Sequence, residues 1–523
     1  MSTSPATRRA RAAKRKPTRG RKQSADRQAS KLADGPRAAM RAVLRQVPTA
    51  AWMCALVALL NAACWSIVTP PFQSPDEPDH FAYVKQLAET SQLPATSSEQ
   101  FSYEELTVLT GLHNFQVRLQ PQTHTIASQA EERALQRLLE QATTDPTPGS
   151  PNAGVAASEP PLYYTLEAIP YLIARGDSEL ARLQLMRLLS ALFAGLTALF
   201  VFMFVREALP EVRWAWTTAG LAVALIPLLG FMSGSVNPDS MLFAVSAAIF
   251  YALAYAFRRG LDRASAVAIG CLTAIGLLTK LNFVGLAPGV LLGLLVLSVR
   301  AARASGRSAY RHLALGGGIA LSPVVLYAGV NVFSGHPTLG LLSTAIDNAH
   351  GSLVAQANYI WQLYLPRLPG TVNDFPGIFT ARQFWFDGYV GQYGWLDTPF
   401  PAWVDSVALI PAAAIALLCA RSLVEHRALL RGRAGEIAVY AAMALGLMLL
   451  IGADSFRAFP ATDGEYAQAR YLLPLLPLLG AILALAARGA GRRLGPAAGT
   501  LIVVLFLAHD VFSQLQVVAR YYG

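Results

Sequence analysis

Apolar residues fall along this chain in long unbroken blocks, separated by short polar connections. Eleven blocks stand out: 50–69, 183–205, 214–233, 238–257, 264–279, 281–299, 312–333, 403–420, 435–452, 470–487 and 495–513. A helix crossing a bilayer needs about 20 such residues, and in hydrocarbon a helix satisfies all its own backbone polar groups. Each block therefore predicts a membrane-spanning α-helix. Two connections are far longer than turns, 70–182 and 334–402. Within the first, the pattern predicts amphipathic helices near 79–90 and 128–142. The apolar stretch Pro160–Ala174 is short and holds Glu167 and Pro170, so it reads as an interfacial helix outside the spans. The expected fold is an all-α polytopic membrane protein with about 11 transmembrane helices and two large extracytoplasmic loop regions.

Charge orients these spans. Residues 1–45 hold 14 Lys and Arg against Asp26 and Asp34, whereas the rest of the chain is balanced to within one charge. Such a basic, apolar-poor tail is expected to be disordered and to lie on the cytoplasmic side, against anionic membrane lipids. Nucleic acid is not an expected partner. With the tail inside, the connections 206–213, 258–263, 300–311, 421–434 and 488–494 are cytoplasmic and carry sixteen Lys and Arg between them. The outer connections carry few: none in 234–237, Lys280 alone, and Arg457 with Arg470 around 453–470. The expected domain plan is a tail over 1–45, a transmembrane domain over 46–515 and a short outer tail over 516–523. The composition agrees, at 54% hydrophobic and 14% charged, far below the charge of a soluble domain. The first apolar block starts near residue 50 without an evident cleavage site, which reads as an anchor rather than a cleaved signal. All four cysteines lie in apolar blocks, and no disulfide framework or zinc spacing is present.

The candidate chemistry sits at outer helix ends. Pro-Asp-Glu-Pro-Asp-His follows the first span, placing Asp76, Glu77, Asp79 and His80 at a membrane surface. Asp79 is a reasonable helix N-cap, and a capped, solvated turn is the plain alternative to a carboxylate base or a hard-cation site. Glu159 precedes Pro160-Pro161, and Asp239 opens a helix after Asn237-Pro238. Asp76, Glu159 and Asp239 are the expected oxygen ligands should a divalent cation such as Mg²⁺ or Mn²⁺ be used. Lys280 stands between two apolar blocks, where it either snorkels or meets a phosphate or carboxylate. Arg470, near Gln468, offers a planar fork suited to phosphate. Trp395, Asp387 and Asp397 lie in an aromatic-rich stretch, where Trp395 is a candidate for stacking on a sugar. There is no Walker P-loop, dinucleotide fingerprint, GxSxG or HExxH, so no nucleotide cofactor is expected.

These same segments, PDEPDHF, EPPLYY, NPDS, LLTK, YGWLDT and QARYLLPLLP in this order, resemble the bacterial membrane proteins of domain of unknown function 2142. That family is similar in turn to the C-type glycosyltransferases, including the protein mannosyltransferase and aminoarabinose transferase branches. The resemblance implies a GT-C-like fold in the inner (cytoplasmic) membrane and an inverting hexosyl or pentosyl transfer at the extracytoplasmic face. The donor would be a polyprenyl-phosphate-linked sugar and the acceptor a glycan, lipid or protein. Asp76, with Glu77 beside it, matches the acid of the first outer loop, and Asp239 that of the second. Glu159 resembles the acid before the Pro-Pro-Leu-Tyr segment, although the Lys or His often found just before those prolines is absent. His80, Asp239, Lys280, Gln468, Arg470 and Trp395 are the expected substrate contacts. A flippase for a lipid-linked saccharide and a non-catalytic scaffold of envelope polysaccharide assembly are the competing readings.

Overall fold

The computed structural model describes residues 47–94, 101–120, 122–126, 128–141, 154–305, 310–333, 352–373, 380–462 and 468–523. The basic tail, and Glu465 and Tyr466 before Arg470, lie outside them. The chain divides into two units, Met1–Thr49 and Ala50–Gly523, and the second holds the membrane-spanning helices.

It is an all-α polytopic membrane protein. Among the described residues, nine helices are long and apolar enough to cross a bilayer. The pair Arg213–Ala224 and Pro227–Ser233, bent by 56°, makes ten when counted as one span. Arg263–Thr279 is apolar but has only 17 residues. Each of the eleven apolar blocks coincides with one of these helices or with the bent pair.

Burial sorts the spans into layers. Asp239–Arg259 is 83% buried over its most apolar window and Glu179–Ala208 is 72% buried, whereas Tyr310–Gly329 and Ala402–Glu425 are 11% buried. The first two pack on each other and keep only a narrow exposed face, at Leu188 and Leu192 on one and Tyr255 on the other. Glycines allow close crossings elsewhere. A Cβ on Gly446 would collide with the carbonyl of Gly285, so only glycine lets those two backbones meet.

The block 214–233 is not one straight helix. Pro227 lacks the N–H that would continue the ladder, and Ile226 before it takes an extended conformation. The carbonyl of Ala224, freed at the break, accepts from the side chain of Asn61 at 3.1 Å.

Within the connection 70–182 the two predicted helices form, over Glu77–Thr90 and Gln129–Gln141. The stretch Pro160–Ala174 holds a helix, Leu162–Ile173. Its 12 residues reach about 18 Å, too short to cross the roughly 30 Å core. Tyr163, Tyr164 and Glu167 face inward, while Ile169 and Ile173 remain exposed.

A small antiparallel ribbon, β1 (Gln392–Tyr393) and β2 (Thr398–Pro399), projects Trp395 toward the first outer region. The last helix, Gly491–Tyr522, continues to the end of the chain. The expected tail over 516–523 is therefore its final turns, held because Arg520 donates to the carbonyls of Thr123 and Val117 and pairs with Asp397 at 3.2 Å.

Candidate functional site

The turn after the first span sets the site. Its helix begins at Glu77 rather than near Asp79, with Pro78 in the first turn, where a missing N–H costs nothing. Asp76 is the residue before the helix and takes a left-handed conformation, φ 63°. Asp tolerates this better than most residues, and held backbone strain of this kind gathers at functional sites. Its carboxylate makes no capping hydrogen bond. It is 29% exposed and faces Arg470 at 2.7 Å.

Glu77 points the other way and is fully buried. One oxygen accepts from Arg187 Nε at 2.8 Å and from the Val236 amide at 2.9 Å. The other accepts from Arg187 Nη2 and from the Phe72 amide at 3.0 Å. Arg187 also donates to the carbonyls of Ser66, Thr69 and Pro70. Both oxygens of Glu77 are thus committed, and the expectation that it takes a proton from an acceptor is corrected. It fastens the loop 72–77 to the loop 235–239. Asn237 adds a second tie, donating to the Pro75 carbonyl at 3.3 Å.

Five charged side chains then alternate across neighbouring helix ends. Asp76 meets Arg470, and Arg470 Nε lies 3.8 Å from Asp239. Asp239 meets Lys280 at 2.8 Å, and Lys280 lies 3.9 Å from Glu159. Glu159 also accepts from the Leu281 amide at 3.2 Å. Asp239, Lys280 and Arg470 are buried. Segments far apart in sequence therefore converge, and Asp76 is the most exposed member of the string.

The string holds unused hydrogen-bonding capacity. Arg470 Nε and Nη1, Asp239 Oδ2 and Gln468 Oε1 are buried with no hydrogen-bond partner among the described residues. Buried polar groups are normally satisfied, and a guanidinium using one of its nitrogens is poised for an anion.

Protonation follows from the neighbours. Burial alone would raise the pKa of Asp76, but the charge and hydrogen bond of Arg470, with the charge of Lys280 behind them, hold it below the ordinary carboxylate value. Burial is the main influence on His80, aided by the charge of Lys280, and lowers it to about 3. Its imidazole is therefore neutral at pH 7, and its Nδ1 shares a hydrogen bond with the Tyr164 hydroxyl at 2.9 Å. Burial raises Glu159 above its ordinary value despite Lys280.

A family model described as "Predicted membrane protein (DUF2142)" matches residues 59–479. The chain belongs to this family. The match spans every member of the charge string, from Asp76 to Arg470, and stops before the last helix. No curated protein and no solved structure matches the chain.

For this DUF2142 protein, the remaining expected contacts divide. Gln468 borders a small pocket with Arg470, Pro75 and Gln392. Trp395 is half-buried and has one ring face taken. Arg118 covers one face at 3.8 Å, and the indole N–H donates to the Phe72 carbonyl at 3.3 Å. It joins the β1–β2 ribbon to the first outer region. Asp397 is held by Arg520 and the Trp395 amide, and Asp387 by Arg382.

Asp76, Glu159 and Asp239 lie along one string, but Lys280 and Arg470 are interleaved between them. Among the described residues, no three His, Cys, Asp or Glu side chains are grouped to hold a metal ion. Hard divalent cations need convergent oxygens, and here an ammonium and a guanidinium stand in that space. The arrangement does not fit the expected cation.

Sequence reasoning missed Arg187 and Tyr164. Arg187 lies inside the block 183–205, and an ionisable residue within a span is costly and paired. That signal was available.

Glu167 couples stability to pH. Burial raises it from 4.5 to about 8, against hydrogen bonds from Ser190 and Tyr163. The folded state holds this proton where the unfolded state has lost it, so stability falls as pH rises from about 4.5 to about 8. Glu167→Gln is expected to flatten that decline, read as the difference in Tm between pH 5 and pH 8 in detergent.

Proposed function

We propose that this chain is a glycosyltransferase that moves a sugar from a polyprenyl-phosphate-linked donor to an envelope acceptor, at the extracytoplasmic face of the bacterial inner membrane. The observation that carries the reading is Arg470, buried between Lys280 and the partly exposed Asp76, with Nε and Nη1 making no hydrogen bond among the described residues. The placing of this face outside rests on the sixteen Lys and Arg in the connections at the other helix ends.

The donor phosphate takes the hydrogen bonds that Arg470 Nε and Nη1 leave unmade, with Lys280 beside it. As Arg470 turns its charge to the phosphate, its hold on Asp76 weakens and the carboxylate becomes more basic. An acceptor hydroxyl oxygen then attacks the anomeric carbon. The bond from that carbon to the phosphate oxygen breaks, and the polyprenyl phosphate leaves with the electron pair. The hydroxyl proton passes to Asp76. Arg470 and Lys280 stabilise the leaving phosphate where its charge grows. Attack opposite the leaving group inverts the anomeric centre.

The bent pair at Pro227 gives a transporter reading its one specific support, since broken helices line substrate paths in transporters. The two readings part in liposomes holding the purified chain and a labelled polyprenyl-phosphate sugar. Transfer that requires an added acceptor supports the enzyme. Label that crosses the bilayer without acceptor, and is never transferred, supports the transporter.

A further inference from the structure

Three spans carry a charge-string residue at one end and an arginine at the other. Asp239–Arg259 runs from Asp239 to Arg258, Leu281–Arg303 from beside Lys280 to Arg300, and Ala469–Gly489 from Arg470 to Arg488. At 1.5 Å per residue these arginines stand about 30 Å from the site, one hydrocarbon thickness away. With Arg433 they converge on a pocket of about 350 Å³ walled by Phe257, Leu423 and Leu485. All five short basic connections contribute to it.

A basic connection that only fixes topology has no need of a pocket. Here acids anchor three of the four guanidiniums. Glu207 pairs with Arg258 at 3.3 Å, Glu436 with Arg433 at 2.7 Å, and Glu211 with Arg488 more loosely at 3.8 Å. Arg300 has no acidic partner among the described residues, and its guanidinium lies 5.2 Å from the Phe257 ring. Ser422 is fully buried, borders the same pocket, and its hydroxyl has no hydrogen-bond partner among the described residues. A cation without an acid, an unused buried hydroxyl and an apolar wall at a helix-end level are complementary to one kind of ligand.

We propose that this pocket binds the phosphate group of an anionic amphiphile, with Arg300 and Ser422 as its contacts and the apolar wall against its chains. The site is separate from the charge string and does not depend on the transferase reading. A phospholipid headgroup and a free phosphate share this chemistry; the apolar wall assigns the site to the lipid, and the test distinguishes the two.

The full-length protein, purified in a neutral detergent, is titrated with dioleoylphosphatidylglycerol, with dioleoylphosphatidylcholine and with inorganic phosphate, reading retained lipid by native mass spectrometry and Tm. Phosphatidylglycerol is expected to bind preferentially, and Arg300→Gln to weaken it about fivefold, the effect of one cation near an anionic headgroup. Arg421→Gln serves as the control. That residue is exposed, pairs with Glu425 and lies outside the pocket. Its loss is expected to leave binding unchanged. Stabilisation by inorganic phosphate as strong as that by phosphatidylglycerol, and equally dependent on Arg300, would overturn the amphiphile and assign the site to a free phosphate. Equal binding of both lipids, or equal losses in Arg300→Gln and Arg421→Gln, would overturn the proposal as diffuse surface attraction. Arg300 is exposed and has no acidic partner among the described residues, so its replacement spares the fold. Ser422→Ala gives a second variant that removes the hydroxyl without changing charge.

Discussion

Arg187→Met is expected to destabilise the protein by about 3–5 kcal/mol, the cost of leaving a buried carboxylate without its cation. Arg187 and Glu77 are 1% and 0% exposed, so water cannot replace either partner. The loss reaches beyond one ion pair. Arg187 also holds three carbonyls at the end of the first span, and Glu77 accepts from amides in two separate loops. A Glu77→Leu/Arg187→Met double variant should recover part of the stability, since no charge is then stranded, while leaving the Phe72 and Val236 amides unpaired. Thermal unfolding of the three proteins in one detergent checks this order. A single variant that unfolds within a degree of the wild type would show that the pair does not hold the loops.

Asp76→Asn is expected to lower sugar transfer by about 10²–10⁴-fold, the range for losing a general base, with the fold intact. Asn fits the same left-handed turn and keeps an acceptor oxygen for Arg470, but it cannot take a proton from the acceptor. Donor binding should hold or tighten, because Arg470 loses a competing charge. The pattern to look for is a fall in kcat without a matching fall in affinity for a polyprenyl-phosphate sugar. Equal losses in affinity and rate would reassign Asp76 to donor binding.

The membrane architecture was legible because span length is a physical requirement that composition displays directly. The eleven blocks and the short amphipathic helices needed no tertiary information. The location of the charge string was legible for a related reason: Asp76, Asp239, Lys280 and Arg470 are polar groups at helix ends, where burial demands partners.

The task of each residue was less legible. Asp76 and Glu77 are neighbours of similar chemistry, and only the left-handed turn at Asp76 sends one carboxylate toward Arg470 and the other toward Arg187. Trp395 was visible as an aromatic in a loop, but its guanidinium cover comes from Arg118, nearly 280 positions away in sequence. Proline likewise does not settle where a span breaks. Pro323 and Pro411 lie within continuous helices, whereas Pro227 begins a new one after a break. At Pro227, Asn61 takes up a carbonyl the break sets free. Such compensations join distant segments and leave no local pattern.

The most direct test of the proposed activity is transfer of labelled sugar from a polyprenyl-phosphate donor to acceptor, by purified protein in liposomes, with wild type beside Asp76→Asn. Labelled product is expected from the wild type, and at least about a hundredfold less from the variant at equal folded abundance. Undiminished transfer by Asp76→Asn, or none by the wild type from any polyprenyl-phosphate sugar, would contradict the assignment.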